Sequence, residues 1–209
     1  MKRKAFAILL MSLVALCAFT SCSNDDNDNK EESGKTLTGK TTFAFALTDD
    51  MFNAVSVQIQ LTDKNEKTTK IDVDKNKLID EKDLPQYFSN YTKDIDEIIN
   101  NFGNDVNVKF FVYDIDNVKT PEKYTVKVAI TPLENITVSE ANFIYSIPGM
   151  AFTANGAKTT TTQSRSSVLL NKGISTSSTT LQAFVEKYNK HSNIYTINSD
   201  GSLKQETGN

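Results

Sequence analysis

The segment Val55-Ser-Val-Gln-Ile-Gln-Leu61 alternates apolar and polar residues without a break. A period of two is the pattern of a β-strand with one buried and one exposed face. The same alternation occurs upstream in Phe43 to Leu47, and downstream in Val106 to Val112 and in Tyr124 to Ile130, where Pro132 ends it. These segments predict an α+β, β-rich domain built mainly on antiparallel sheet, either sandwich-like or partly closed.

Shorter patterns predict the remaining strands. Apolar residues over Thr69 to Val73 predict a third strand. Ile194 and Ile197 lead to Ser199-Asp200-Gly201, a turn signal that predicts a closing hairpin. Further candidate strands are Ile136 to Val138, Asn142 to Ile147 and, after a turn at Pro148-Gly149, Met150 to Thr153.

Two stretches predict helices, one long and one shorter and C-terminal. The long one is capped by Asp83, has Pro85 in its first turn and ends at Gly103. The shorter one starts near Thr179. Spacings of three and four place one apolar face on each helix: Leu84, Phe88, Tyr91, Ile95, Ile98, Ile99 and Phe102 on the long helix, and Leu181, Phe184, Val185 and Tyr188 on the short one.

Residues 154–180 contain two segments of low hydrophobicity, Thr159 to Thr162 and Ser175 to Ser178. They predict two surface loops around one short strand. The alternative is a functional loop that contacts a partner.

The amino terminus has the pattern of a secretory signal. Lys2, Arg3 and Lys4 precede a fifteen-residue apolar run from Ala5 to Phe19. A helix needs about 20 apolar residues to cross a bilayer, so the run is short for a permanent anchor. We therefore expect residues 1–21 to be a signal peptide.

The end of this run, Phe19-Thr-Ser-Cys22, resembles the lipobox of bacterial lipoproteins, with Phe19 or Ala18 serving where Leu, Val or Ile is usual. The acidic, Asn-rich residues 23–29 resemble the surface-export signal of Bacteroidota outer-membrane lipoproteins. The resemblance implies that Cys22 becomes the acylated amino terminus and that the protein is anchored in the outer membrane, at the cell surface. Residues 22–35 are then a disordered acidic tether, and residues 36–209 a single globular β-rich domain.

Composition excludes several kinds of chemistry. The chain has two cysteines and one histidine. Because Cys17 leaves with the signal peptide and Cys22 is acylated, the domain has no disulfide, cysteine nucleophile or thiolate metal site. A Ser-His-Asp triad would have to use His191. Without the leader's three basic residues, 20 basic and 26 acidic residues remain, a net charge of −6 that argues against nucleic acid.

The stretch from Asp72 to Asp83 resembles a dockerin-type or single EF-hand-like calcium loop. Oxygen-bearing side chains occupy positions 1, 3, 5, 9 and 12 of twelve residues: Asp72, Asp74, Asn76, Asp80 and Asp83. The resemblance implies calcium as the only candidate cofactor, bound by these five residues.

Two residues depart from that calcium pattern. Lys77 stands where such loops have glycine, and Asp83 where they usually have glutamate. A strand ending at Val73, a turn at Lys75 to Lys77 and Asp83 as a helix cap explain the same residues without metal.

Two classes of function remain open. A non-enzymatic surface protein would bind a glycan, a peptide or a partner protein, or support an outer-membrane assembly. A carbohydrate-active hydrolase would use paired carboxylates such as Asp114 and Asp116, which lie two apart near a strand end. Facing carboxylates in a deep cleft would favour the hydrolase, and a shallow groove lined by tyrosine and threonine would favour binding. The candidate groove tyrosines are Tyr87, Tyr91, Tyr124 and Tyr145.

Overall fold

The computed structural model describes residues 36–88, 106–158, 160–163 and 169–207. Within them, ten strands form two five-stranded antiparallel sheets, and one α-helix and three short 3-10 helices connect them. The strands are β1 (Thr38–Thr48), β2 (Val55–Thr62), β3 (Thr68–Asp72), β4 (Val108–Lys119), β5 (Glu122–Pro132), β6 (Glu140–Ala154), β7 (Thr161–Gln163), β8 (Leu169–Ser175), β9 (Asn193–Ile197) and β10 (Leu203–Thr207). The helix α1 is Ser178–Tyr188, and the 3-10 helices are Asp50–Asn53, Lys75–Lys77 and Glu81–Gln86. The β-rich, sandwich-like α+β fold is confirmed.

The two sheets have different strand orders. Sheet A runs β4-β1-β6-β7, with β8 also paired to β6. Sheet B runs β10-β9-β5-β2-β3. Every pairing is antiparallel. β1 lies inside sheet A and β5 inside sheet B, so each sheet is organised around a strand with neighbours on both edges.

The main core lies between the sheets. On β1, Phe43, Phe45 and Leu47 are fully buried in it. Sheet B supplies the alternate residues of β2 and β5: Val55, Val57, Ile59, Leu61, Tyr124, Val126, Val128 and Ile130. As the sequence predicts, the period-two alternation therefore marks strands that have one face in the core.

The ring of Phe43 joins the two sheets. It packs edge-to-face on Tyr124 and on Tyr195, with ring centroids 5.7 and 5.6 Å away. Both tyrosines belong to sheet B, whereas Phe43 belongs to sheet A. Edge-to-face pairs add a favourable electrostatic term to the burial of the rings. Burial and the nearby Glu122 raise the pKa of the Tyr124 phenol, which stays neutral.

A second, smaller core covers the outer face of sheet A. Ala44 and Ala46 point to this side of β1, and Leu84 and Phe88 pack over them. Small side chains are needed here because the covering segment lies close to the sheet. At Gly149 a Cβ atom would lie 3.2 Å from the ring of Phe88, so the absence of a side chain makes room for that ring.

Helix α1 confirms the prediction of a short C-terminal helix. Leu181, Val185 and Tyr188 are buried in the main core, whereas Phe184 is half-buried. The Tyr188 hydroxyl donates to the carbonyl of Ile144 at 2.6 Å, which ties the helix to sheet A.

The residue after α1 ties it to sheet B. Asn189 Oδ1 accepts from the Ile130 amide at 2.8 Å, and Asn189 Nδ2 donates to the Ile130 carbonyl at 2.9 Å. The side-chain amide thereby continues the β5 ladder beyond the residues that pair with β9.

The predicted turn at Pro148-Gly149 is wrong, because this dipeptide lies inside the fifteen-residue strand β6. One edge of β6 pairs with β1, and the register shifts between Ala44 and Ala46, opposite this dipeptide. The other edge pairs first with β8 through residues 140–145 and then with β7 through residues 150–152. Pro148, which lacks a backbone donor, lies between these two paired stretches.

Other strand boundaries also differ from the prediction. Residues 136–138 are irregular rather than a strand. β4 continues past Val112 to Lys119, so Asp114 and Asp116 lie inside a strand instead of at its end. β8 has seven residues, so the Ser/Thr-rich region contains more strand than predicted. The hairpin at Ser199-Asp200-Gly201 is confirmed, with Gly201 at a φ of +83°.

The predicted cap of the long helix is wrong. The 3-10 helix Glu81–Gln86 begins after Asp80, and Asp83 lies within it, donating its backbone N–H to the Asp80 carbonyl. The rest of the predicted long helix, including its apolar residues from Tyr91 to Phe102, lies outside the described residues. In the described part of the chain, no helix is long and apolar enough to cross a membrane.

Replacing Phe43 with alanine should lower the free energy of unfolding by about 3–5 kcal/mol, because it leaves a cavity at the contact between the sheets. Phe52→Ala is the matched control, since the Phe52 ring is only half-buried at the edge of the core and should cost much less. Urea denaturation of both variants measures the difference. Equal losses would contradict the central position of Phe43.

Candidate functional site

The predicted calcium ligands have protein partners in the structure. Asp72 Oδ1 accepts from Gln58 Nε2 at 2.8 Å. Asp74 Oδ1 caps the 3-10 helix Lys75–Lys77, accepting from the Asn76 backbone N–H at 2.9 Å and from Asn76 Nδ2 at 3.1 Å. These contacts match the strand and the turn of the metal-free interpretation, but the capping residue in this part of the loop is Asp74, not Asp83.

The remaining two ligands lie further along the chain. Asp80 is ion-paired with Lys109, and this contact holds the pKa of Asp80 below its ordinary value. Asp83 lies in the 3-10 helix Glu81–Gln86. Among the described residues, which include all four of these aspartates, no three His, Cys, Asp or Glu side chains are grouped closely enough to hold a metal ion.

Calcium and chelator should therefore leave the melting temperature unchanged, because Asp72, Asp74 and Asp80 are each held by protein donors. Differential scanning calorimetry with EDTA and with millimolar calcium tests this. A calcium-dependent rise that Asp74→Ala removes would instead show that the loop rearranges to bind the ion.

Asp114 is held between two side chains of β1. Its Oδ1 accepts from Thr42 Oγ1 at 2.6 Å, and its Oδ2 accepts from Lys40 Nζ at 3.1 Å. Asp116 is exposed two residues further along β4. A glycosidase carboxylate acts on its substrate as acid, base or nucleophile, whereas both oxygens of Asp114 have side-chain partners on β1. The geometry around Asp114 is that of a structural ion pair on the sheet.

The other candidate residues are dispersed. His191 follows α1, where its backbone N–H donates to the Tyr188 carbonyl at 3.2 Å. Tyr124 is buried in the main core. Tyr91 lies outside the described residues. Tyr87, which directly follows the 3-10 helix Glu81–Gln86, is half-buried and faces a groove on sheet A.

This depression, named here the Tyr87 groove, has a volume of about 400 Å³. Its floor is the outer face of β1 and β6, where Lys40 pairs with Thr153 and Thr42 pairs with Ala151. Ala151 is small, so the floor is low at this point.

Two segments wall the Tyr87 groove. Gln86 and Tyr87 form one wall, and the turn after β6, residues 154–157, forms the other. Thr160 completes the second wall, and its hydroxyl lies 2.8 Å from that of Thr153. Residues 154–157 and Thr160 of the Ser/Thr-rich stretch therefore line this groove.

The chemistry of the groove is that of polar recognition. It offers an aromatic ring, three threonines, the Gln86 and Asn155 amides and the Lys40 ammonium group. Hydroxyls and amides both donate and accept hydrogen bonds, so they suit a ligand with many hydroxyl or amide groups. Sequence reasoning identified Tyr87 but not Thr42, Thr153 or Thr160, because their proximity depends on strand register.

Comparisons with known proteins give no relative for this chain: no family model, no curated protein and no solved structure matches it.

Proposed function

We propose that the protein is an exported outer-membrane lipoprotein, anchored at the cell surface by acyl chains on Cys22, whose domain binds a polar glycan without transforming it. The observation that carries the proposal is the shallow Tyr87 groove, in which a tyrosine ring and threonine hydroxyls line one surface. Support for an outer-membrane assembly is compatible with the same surface.

The dimensions and chemistry of the groove support a small saccharide as ligand. Its volume of about 400 Å³ is within the usual range of ligand sites, roughly 300–1,000 Å³. Tyrosine presents an apolar face with a polar tip, and suits a sugar, which has both apolar C–H faces and hydroxyls. The threonines and amides supply the hydrogen bonds that fix its orientation.

The anchor rests on the sequence around Cys22 and on where the chain enters the domain. Leu37 is tied to Thr120 by two hydrogen bonds, one from its N–H to Thr120 Oγ1 and one to its carbonyl from the Thr120 N–H, each 2.9 Å. The first described residues therefore lie at the end of the sandwich that carries the β4–β5 turn.

Cys22→Ser should abolish acylation and release the protein from the membrane fraction, because one thioether carries the anchor. Cys17→Ser is the matched control, since this cysteine lies in the apolar run of the leader and should not matter. Radiolabelled palmitate, cell fractionation and mass spectrometry of the mature amino terminus measure the outcome. An unacylated wild-type terminus would disprove the anchor. Survival of the protein when intact cells are treated with protease would disprove surface exposure.

Tyr87→Ala should weaken glycan binding by about five- to tenfold, the size of a lost aromatic contact. Tyr87→Phe should retain most of the affinity, because the ring remains. Thr179→Ala is the control, since Thr179 is exposed on helix α1. A screen of neutral oligosaccharides followed by calorimetric titration supplies the ligand and its affinity. Binding that survives both Tyr87→Ala and Thr153→Ala would locate the site elsewhere, and turnover of the bound glycan would show an enzyme.

A further inference from the structure

The outer face of sheet B is cationic, although the whole chain has a formal net charge of −3. Strand register places four lysines and two carboxylates on this face: Lys70, Lys123, Lys127, Lys204, Asp72 and Glu206. The alternate residues of the same strands fill the main core, which fixes the outward direction of these side chains. This excess of two positive charges would attract an anionic ligand.

Two of the lysines flank one amide. Gln60 on β2 pairs with Lys70 on β3 on one side and with Lys127 on β5 on the other. Adjacent strands are about 4.8 Å apart, so the two lysine backbones are separated by roughly 10 Å. Within the described residues, neither lysine has a carboxylate at salt-bridge distance. Both ammonium groups can therefore turn toward one anionic group above Gln60.

The neighbouring set of residues paired across β3, β2 and β5 forms a depression lined by hydrogen-bonding groups. Gln58 pairs with Asp72 on one side and with Ala129 on the other, and the small Ala129 leaves a groove of about 580 Å³. Gln60 Nε2 donates to Gln58 Oε1 at 2.9 Å, and Gln58 Nε2 donates to Asp72 Oδ1 at 2.8 Å. This relay orients both amides in advance, and each amide nitrogen retains a second hydrogen for a ligand.

We infer that this face binds an anionic oligosaccharide, with a carboxylate or sulfate group between Lys70 and Lys127 and sugar hydroxyls on Gln58, Gln60 and Asp72. Neutral hydrogen-bonding side chains outnumber the cations here, because Thr62, Thr68 and Thr125 form the adjoining row. That mixture fits a polymer rich in hydroxyls that carries spaced charges. A nucleic acid would need a denser basic surface. The site is separate from the Tyr87 groove, which lies on the outer face of the other sheet.

The test is calorimetric titration of the full mature domain with oligogalacturonate, and with a neutral malto-oligosaccharide of equal length. Oligogalacturonate should bind, more weakly at higher salt, and the neutral chain should bind at least tenfold more weakly. Lys70→Gln with Lys127→Gln should reduce the affinity on the order of twentyfold, about fivefold per lysine. Ala129→Tyr should reduce it as well, because the new ring fills the groove from the outer face of β5 without entering the core.

The control is Lys119→Gln with Lys187→Gln, which removes the same charge from exposed lysines on β4 and α1, elements that do not belong to sheet B. It should leave the affinity unchanged, as should Tyr87→Ala. Thermal melts establish that every variant is folded. The inference is overturned if wild-type protein does not bind oligogalacturonate at low salt, if the control pair weakens binding as much as the Lys70 and Lys127 pair, or if polyglutamate of equal charge binds as tightly.

Discussion

The contact between Phe43 and the two tyrosines Tyr124 and Tyr195 organises the rest of the domain. β1 pairs with β4 on one edge and with β6 on the other, so its ladders lie within sheet A. Side-chain packing joins sheet A to sheet B, and Phe43 is the residue of β1 whose ring meets two rings of the opposite sheet. Helix α1 strengthens this arrangement, because Tyr188 bonds sheet A and Asn189 bonds sheet B.

The inner faces of both sheets are buried in the core, so the outer faces are the sheet surfaces that can contact a ligand. Each face has a depression at a small residue of an inner strand, Ala151 on sheet A and Ala129 on sheet B. The surroundings differ: a tyrosine ring and threonine hydroxyls frame the first, and an amide relay beside lysines frames the second. The two outer faces thus carry depressions that differ in charge and in hydrogen-bonding groups.

Much of this architecture was predictable, because alternation records which side of a strand is buried. β2 and β5 follow it without exception, and the helix that buries Leu181, Val185 and Tyr188 follows the period of an amphipathic helix. Pro148-Gly149 misled the prediction, since a proline that ends most strands can lie between two partners on one edge of β6. Asp83 also misled the prediction, because the residue that precedes the 3-10 helix Glu81–Gln86 is Asp80, three residues earlier.

The sites were less predictable than the fold. The Asp114 carboxylate looked like half of a catalytic pair until β1 supplied Thr42 and Lys40. The rows of lysine, glutamine and aspartate on sheet B exist only through pairing among β2, β3 and β5. Local sequence patterns do not contain the register between distant strands, and therefore they reveal which residues are exposed but not which ones meet.

The attachment of Leu37 to Thr120 has a mechanical consequence for an anchored protein. Tension that reaches the domain from its amino-terminal side acts first on β1. β1 lies between β4 and β6, so hydrogen-bond ladders on both sides hold it against that load. A terminal edge strand would instead be held on one side. In a protein anchored as proposed, entry through a central strand would therefore resist removal of the first strand from the sheet.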